Sequence, residues 1–275
     1  MTASKPTPRV AAAIQAAGLG WLVPDWPASD VVEAFSTTRA GGVSSGRHAT
    51  LNLAAQGADD EAAVAENRRR VQTYLPSPPV WLQQVHGRAV VRLDAPSAVV
   101  ARSHAPVADA AVTSSPGIVL AIRSADCLPV LFADRDGRAV GAAHAGWRGL
   151  AQGVLESTIA ALSDCGVPAA RLCAWIGPGI GAGAFEVGRD VRDAFCAADA
   201  DAAALFVASG ADKWRADLPA LARRRLAACG VAGVGGGALC TFTDVARFYS
   251  YRRDGETGRH ATLVWLRPFA AGDRV

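Results

Sequence analysis

The sequence predicts a single mixed α/β domain, and three observations carry that expectation. The chain has 275 residues, 51% of them hydrophobic and 19% charged, enough to bury a substantial core. Residues 109–144 hold a dense block of β-type segments that are almost wholly apolar, and such runs predict strands buried on both faces. Helix-type segments flank this block, with no internal repeat and no linker to divide the chain.

Taken in order, the chain starts with a loosely structured lead-in, residues 1–25 and fading out by residue 30, with Trp21 and Trp26 as docking anchors. Residues 31–38 read as a strand followed by the Gly41-Gly42 turn. Asp59 and Asp60 can cap a helix reaching to about Leu75, with Val64, Val71 and Leu75 on its buried side. Short β-type runs at 80–85 and 90–93 lead into the apolar block, whose strands fall at 109–113, 118–122, 129–132 and 140–144. A helix over 150–163 is stopped by Gly166 and Pro168, and 172–176 is another buried strand ending at a Gly-Pro-Gly turn. Residues 187–195 and 218–229 read as helices, the second capped by Asp217 and closed by Gly230. Strands near 248–251 and 262–266 finish the chain.

Composition excludes more than it assigns. The net charge of +3 and a pI near 8.6 point to no particular partner. Lys5 and Lys213 are the only lysines, and the wealth of arginine, alanine and glycine reads as the codon usage of a GC-rich genome. The triplets Arg68–Arg70 and Arg223–Arg225 are expected on solvated helix faces, so no nucleic-acid stripe is predicted. Six cysteines without a C-x-x-C pair suit a reduced, cytoplasmic setting better than a disulfide scaffold. The apolar run around Ile14 is broken by Gln15, and no stretch reaches the length of a membrane span.

Five histidines are few enough to weigh singly. His86 follows the run Trp81-Leu82-Gln83-Gln84-Val85 and precedes Gly87, which puts it at a strand end. His144 closes the last strand of the block, and Ala145-Gly146-Trp147-Arg148-Gly149 turns the chain into the next helix. Cys127 lies between two hydrophobic strands, directly after Asp126. Three such ligands at the ends of buried strands suit a catalytic zinc site, which keeps its fourth tetrahedral position open. The same residues also fit a metal-free pair, with Cys127 as nucleophile and His144 as its base. A plainer reading makes all three satisfied core residues, since their spacing matches no metal-binding motif. His48, His104 and His260 lie in polar, loop-like contexts and are expected to be structural.

Two motifs mislead. Gly42-Val43-Ser44-Ser45-Gly46 matches G-x-S-x-G, but no helix follows it as a nucleophile elbow requires. Gly177-Pro178-Gly179-Ile180-Gly181 follows a strand, yet Pro178 removes a donor amide and the spacing misses G-x-G-x-x-G. A tight turn is the expectation there.

Longer motifs are more specific. They are Ser36-Thr37-Thr38-Arg39-Ala40-Gly41-Gly42-Val43-Ser44, Leu51-Asn52-Leu53, Asn67-Arg68 and Gln84-Val85-His86-Gly87. Ala125-Asp126-Cys127-Leu128-Pro129-Val130 and Ala143-His144-Ala145-Gly146-Trp147-Arg148-Gly149 follow. Ile176-Gly177-Pro178, Phe185-Glu186-Val187-Gly188 and Phe248-Tyr249-Ser250-Tyr251-Arg252-Arg253-Asp254-Gly255 complete the set. Over residues 26–266 the chain resembles the bacterial laccase-domain proteins, variously called polyphenol oxidases, peptidoglycan editing factors and purine nucleoside phosphorylases.

The resemblance implies an α+β fold, two mixed β-sheets packed between helices and similar to the cytotoxic necrotizing factor catalytic domain, over one catalytic domain of residues 1–275. It implies a zinc site at His86, Cys127 and His144, which also carry the catalysis, with copper as the second metal to consider. The activity it implies is phosphorolysis of adenosine, inosine, guanosine and methylthioadenosine, with hydrolytic deamination of adenosine. Because the toxin domain is a cysteine–histidine hydrolase, Cys127 stays open as the nucleophile of an amidase that releases serine from UDP-MurNAc-L-Ser, a peptidoglycan precursor. Copper-dependent phenol oxidation is a third activity of the family, but five histidines are too few for multicopper clusters. For phosphate, Arg39 beside Gly41 and Gly42 offers a guanidinium fork and loop amides. Asn52 can hydrogen-bond ribose or phosphate, and Arg148 and Arg253 are further anion-binding candidates. The expected partners are purine nucleosides and phosphate, bound by a cytoplasmic monomer or small homo-oligomer, with neither nucleic acid nor membrane.

Overall fold

Two kinds of apolar patterning build the molecule: continuous runs that become strands covered on both sides, and one-faced helices that cover them. The structure, a computed structural model, describes residues 9–54, 57 and 59–268. In chain order the first strands are β1 (Val32–Ser36), β2 (Val80–Trp81), β3 (Val90–Arg92), β4 (Ala110–Thr113), β5 (Leu120–Ser124), β6 (Leu128–Asp134) and β7 (Val140–Ala145). They are followed by β8 (Leu172–Ile176), β9 (Glu186–Gly188), β10 (Phe206–Gly210), β11 (Lys213–Ala216), β12 (Gly233–Gly236) and β13 (His260–Leu266). The helices are α1 (Arg9–Ala16), α2 (Glu61–Gln72), α3 (Ala95–Ser103), α4 (Trp147–Gln152), α5 (Val154–Asp164), α6 (Arg189–Cys196), α7 (Leu218–Ala228) and α8 (Tyr251–Asp254).

Strands β12-β8-β6-β7-β4-β3 form a six-stranded sheet and β1-β13-β5-β2 a four-stranded one, each mixing parallel and antiparallel neighbours. Their facing sides share one apolar cluster, with Leu131, Ala133, Val140 and Ala142 from the larger sheet and Leu120, Ile122, Val264 and Leu266 from the smaller. Beyond the larger sheet, α5 and α7 gather Leu155, Ile159, Leu221 and Leu226 with Val130 and Phe132. Beyond the smaller one, α1 and α2 gather Val10, Ile14 and Val71 with Phe35, Leu263 and Trp265. The expected pair of mixed sheets between helices is present. A third sheet, β10-β11-β9, is wholly antiparallel and packs beside α6. No helix among the described residues is long and apolar enough to cross a membrane.

Several elements depart from the sequence expectation for identifiable reasons. The lead-in is ordered over its described part: α1 buries Val10 and Ile14, and the buried Glu33 carboxylate accepts from the amides of Arg9 and Val10, both at 3.1 Å. Trp21 docks as expected, stacked on Phe35 with ring centroids 5.2 Å apart. The helix expected over 150–163 is two helices, because Gly153 takes φ +96° between α4 and α5. Residues 187–195 open in β9, paired with β11, before turning helical. Residues 248–251 are no strand: Phe248 and Tyr249 are buried in a loop, and the Ser250 side chain caps α8 by accepting from the Arg253 amide. Helix α3 escapes the apolar pattern, yet Asp94 and Ser97 give it a full capping box. The arginine triplets are solvated only in part: Arg69, Arg70 and Arg224 reach solvent, but Arg68 lies over Trp81 and bonds the Leu53 carbonyl, and Arg225 pairs with Glu156.

Candidate metal centre

Strand register brings the trio together. Pro129 of β6 pairs with His144 of β7, so Cys127, just ahead of β6, enters the site beside His144. On the other side of β7, Ala110 of β4 pairs with Ala143, and the His144 amide donates to the Asp109 carbonyl at 2.7 Å. That register puts the Asp109 carboxylate beneath the site. Its Oδ1 accepts from His144 Nδ1 at 2.8 Å and from the His86 amide at 2.9 Å. Its Oδ2 accepts from the Val85 and Gly87 amides at 3.2 and 2.7 Å. The loop after β2 is therefore wrapped on one buried carboxylate, which holds His86 at a left-handed φ of +61°. The Cys127 turn is pinned in a similar way: Asp126, at φ +86°, accepts from Thr241 Oγ1 at 2.7 Å and from the Arg252 amide at 2.6 Å.

Cys127 Sγ lies 3.7 Å from His86 Nε2, and one donor atom from each of His86, Cys127 and His144 falls within 4.8 Å of the others. Around a tetrahedral zinc, a thiolate sulfur and an imidazole nitrogen stand about 3.5 Å apart, so the trio fits such an ion after small adjustments. With Nδ1 held by Asp109, His144 offers Nε2, the carboxylate–histidine arrangement common behind zinc ligands. Crowding around the trio dictates glycine nearby. A Cβ at Gly146 would stand 2.8 Å from His86 Cδ2 and 2.9 Å from Cys127 Sγ, and one at Gly149 would stand 2.6 Å from the Gly87 carbonyl oxygen. Exposure falls from exposed His86, through half-buried Cys127, to buried His144. The site is open on its His86 side, as a catalytic site must be.

The charges favour a thiolate. Burial alone would raise the Cys127 pKa, but the charge and hydrogen bonds of His144 and His86 outweigh it and bring the thiol down to about 6. Burial would likewise lower His144, yet Cys127 and Asp109 raise it to about 9. Asp109 is pushed up by burial and held below the ordinary carboxylate range by His144 and the amides of Gly87 and Val85.

The other candidate residues are distributed differently. Arg39 donates to the carbonyls of Ala49 and Val245, at 2.8 and 3.1 Å, with its guanidinium over the Tyr249 ring. Asn52 spends its amide on Asp59 and accepts from the Ala54 and Arg259 amides. Arg253 bonds the carbonyls of Thr241, Phe242 and Phe248 and pairs with Asp254. Arg148 stands exposed in the first turn of α4, next to Gly146, over the ring of Trp147. His48 lies in a short 3-10 turn beside Asp59, as a polar loop predicts, though buried, whereas His260 is buried in β13 with Nε2 3.1 Å from Ser124 Oγ. His104 is the exposed C-cap of α3. Sequence reasoning misses Asp109, whose one signal is a carboxylate opening an otherwise apolar strand.

Comparison with known proteins places the chain among its relatives. The family model described as multi-copper polyphenol oxidoreductase laccase matches residues 33–267. A purine nucleoside phosphorylase of Pseudomonas aeruginosa is 55% identical over 247 residues, 90% of this chain and 98% of that protein. Purine nucleoside phosphorylase YfiH of Escherichia coli is 49% identical, over 89% of this chain and 98% of that protein. Among solved structures, Neisseria meningitidis protein NMB0706 matches with a TM-score of 0.85 at 49% identity, over 90% of this chain and 99% of that one. YlmD from Geobacillus stearothermophilus matches with a TM-score of 0.84 at 30% identity, over 90% and 97%. The family description implies a bound metal, and the His86, Cys127 and His144 group is placed to hold one. On its sequence and its fold alike, the chain belongs to the multi-copper polyphenol oxidoreductase laccase family.

Proposed function

We propose that the chain is a zinc-dependent purine nucleoside phosphorylase that also deaminates adenosine. The observation that carries this reading is the open trio of His86, Cys127 and His144, with Asp109 orienting both histidines. Relatives named purine nucleoside phosphorylase, at 55% and 49% identity, support the same chemistry. His86, Cys127 and His144 would hold the zinc, which when bound would supply Lewis acidity and lower the pKa of water toward neutrality.

In phosphorolysis a phosphate oxygen bonds to C1′ of the ribose as the bond from C1′ to the purine nitrogen breaks. The electron pair leaves with the purine, which takes up a proton. The chain's task is to hold both substrates in line and keep water from C1′. Of the four anion-binding candidates, Arg148 is the one without a hydrogen-bonded partner among the described residues, and we assign it to the substrate side. In deamination, water replaces the amino group of adenosine and ammonia leaves. Zinc-loaded protein given adenosine and phosphate should release adenine with an equal amount of ribose 1-phosphate, and inosine by deamination. If none of these forms, the proposal fails.

One observation favours a second reading. Cys127 and His144 form a thiolate–imidazolium pair with Asp109 as the orienting carboxylate, which would suit Cys127 as a nucleophile and His144 as the proton donor to the leaving group. An amidase acting on a peptidoglycan precursor predicts serine release that persists in metal-free protein and disappears in Cys127→Ala. Copper-dependent phenol oxidation has less support, because among the described residues the trio is the one group placed for a metal, and it offers a single position.

A further inference from the structure

Arg68, Arg123 and Arg259 converge on the outer face of the four-stranded sheet, beside the trio. Arg123 of β5 pairs with Ala261 of β13, and Ser124 pairs with His260. Alternate residues of a strand return to the same face, so Arg259 projects beside Arg123, at a diagonal separation of about 7–8 Å between Cα atoms. Trp81 of β2 pairs with Ala121 on that face. The guanidinium carbons of Arg68 and Arg123 lie 4.8 and 5.6 Å from the Trp81 ring centre.

These cations have no ion-pair partner among the described residues, and each keeps donors in reserve. Arg123 gives one terminal nitrogen to the Leu82 carbonyl at 2.9 Å. Arg68 gives Nε and one terminal nitrogen to the Leu53 carbonyl, at 3.2 and 2.9 Å. Arg259 gives one terminal nitrogen to the Thr257 and Gly258 carbonyls, at 2.9 and 3.1 Å. All three side chains are half-buried rather than sealed in the core. Burial first, then the charges of Arg68 and Arg259, push Arg123 down to about 10. Stacking on Trp81 accommodates Arg68 and Arg123, and Arg259 lies 5.9 Å from the Tyr251 ring centre, but none of the three half-buried cations is directly ion-paired among the described residues, which suits a bound anion.

The cluster is tied to the trio. The Gln84 side chain donates to the Arg123 carbonyl at 2.8 Å and accepts from its amide at 3.0 Å, and Gln84 belongs to the same loop as His86. Burial pushes the Arg259 guanidinium down, and the charges of Cys127, Asp126, Tyr251 and Glu256 act against that shift.

We propose that Arg123 and Arg259, with Arg68 behind them, form the oxyanion subsite of the active site and bind the phosphate that attacks the nucleoside. The identity of the anion rests on the phosphorylase reading; the existence of the subsite does not. Inorganic phosphate titrated calorimetrically into zinc-loaded protein should bind the wild type and bind Arg123→Met and Arg259→Met about 10- to 100-fold more weakly, the loss of one charge-assisted contact. Arg189→Met, at an exposed arginine paired with Asp212, should bind as the wild type does. Both subsite variants keep the trio, so phosphate held by zinc alone would bind them unchanged, and that result overturns the proposal. Should the variants fail to fold, wild-type crystals soaked in selenate decide. An anomalous peak between the Arg123 and Arg259 guanidinium groups supports the subsite, and a peak only elsewhere overturns it. In turnover assays the KM for phosphate should rise in both variants while the KM for adenosine in deamination holds. If phosphate binds through these arginines but the wild type makes no ribose 1-phosphate, the phosphorylase reading falls and the subsite stands. If phosphate does not bind the wild type at all, the subsite falls whatever the enzyme's activity.

Discussion

Replacing Asp109 with asparagine tests how the metal centre is assembled. The carboxylate accepts four hydrogen bonds, from His144 Nδ1 and the His86 amide on one oxygen and from the Val85 and Gly87 amides on the other. Asparagine has nearly the same shape, but its NH2 group cannot accept, so either orientation leaves two donors without a partner. Each orphaned donor costs about 1–3 kcal/mol, or about 2–6 kcal/mol in all. Total stability for a domain is about 5–15 kcal/mol, so Asp109→Asn should remain folded with a lowered Tm. The His144 ring loses its orienting acceptor and the His86 loop loses its anchor, and such losses cost about 10- to 100-fold in metal affinity. Competition for zinc against a chromophoric chelator measures that loss, with circular dichroism to confirm that the variant is folded. Zinc affinity within twofold of wild type would refute the role assigned to Asp109.

Three further outcomes follow from the same structure. Gly146→Ala should lose zinc affinity and about 1–3 kcal/mol of stability, because the new Cβ meets His86 and Cys127 at 2.8 and 2.9 Å; a variant that binds zinc normally would show that the site has room to spare. Chelating the metal should abolish activity yet leave cooperative unfolding intact, since three large apolar clusters hold the sheets and helices together without the metal; an unfolded apo-protein would make the site structural. His260 is pushed down to about 3, by burial first and then by Arg259, whereas in the unfolded chain it titrates at about 6.5. Below that pH the unfolded state binds a proton that the folded state refuses, so stability should fall by about 1.4 kcal/mol per unit from about pH 6.5 toward pH 3. Urea titrations of His260→Asn should lack this slope, and an unchanged slope would remove His260 as its source.

Much of the fold is legible in the sequence where burial leaves a local mark. Strand β6 is buried at every residue, and its unbroken apolar run betrays it. Asp60 and Asp217 announce α2 and α7, and both side chains accept amides as N-caps. The expectation fails where distant partners decide. The run after Trp81 looks β-like, but its amides at Val85, His86 and Gly87 go to Asp109 rather than to a neighbouring strand. Residues 248–251 look like a strand for their aromatics, but the Tyr249 hydroxyl donates to the His48 carbonyl at 2.7 Å and the segment packs as a loop.

The site divides along the same line. The ligand types, their strand-end positions and the glycines after His144 are written in the sequence, because donor chemistry and local chain reversal are properties of short segments. Arg39, Asn52 and Arg253 look equally available there, yet their polar atoms are engaged by carbonyls, carboxylates and amides from far along the chain. Whether Cys127 reaches His144, whether Asp109 lies beneath both histidines, and whether three arginines share one face are questions of register between β4, β7, β6, β5 and β13. Those registers are set by hydrogen bonds and apolar faces far apart in the chain, so only the tertiary structure decides them.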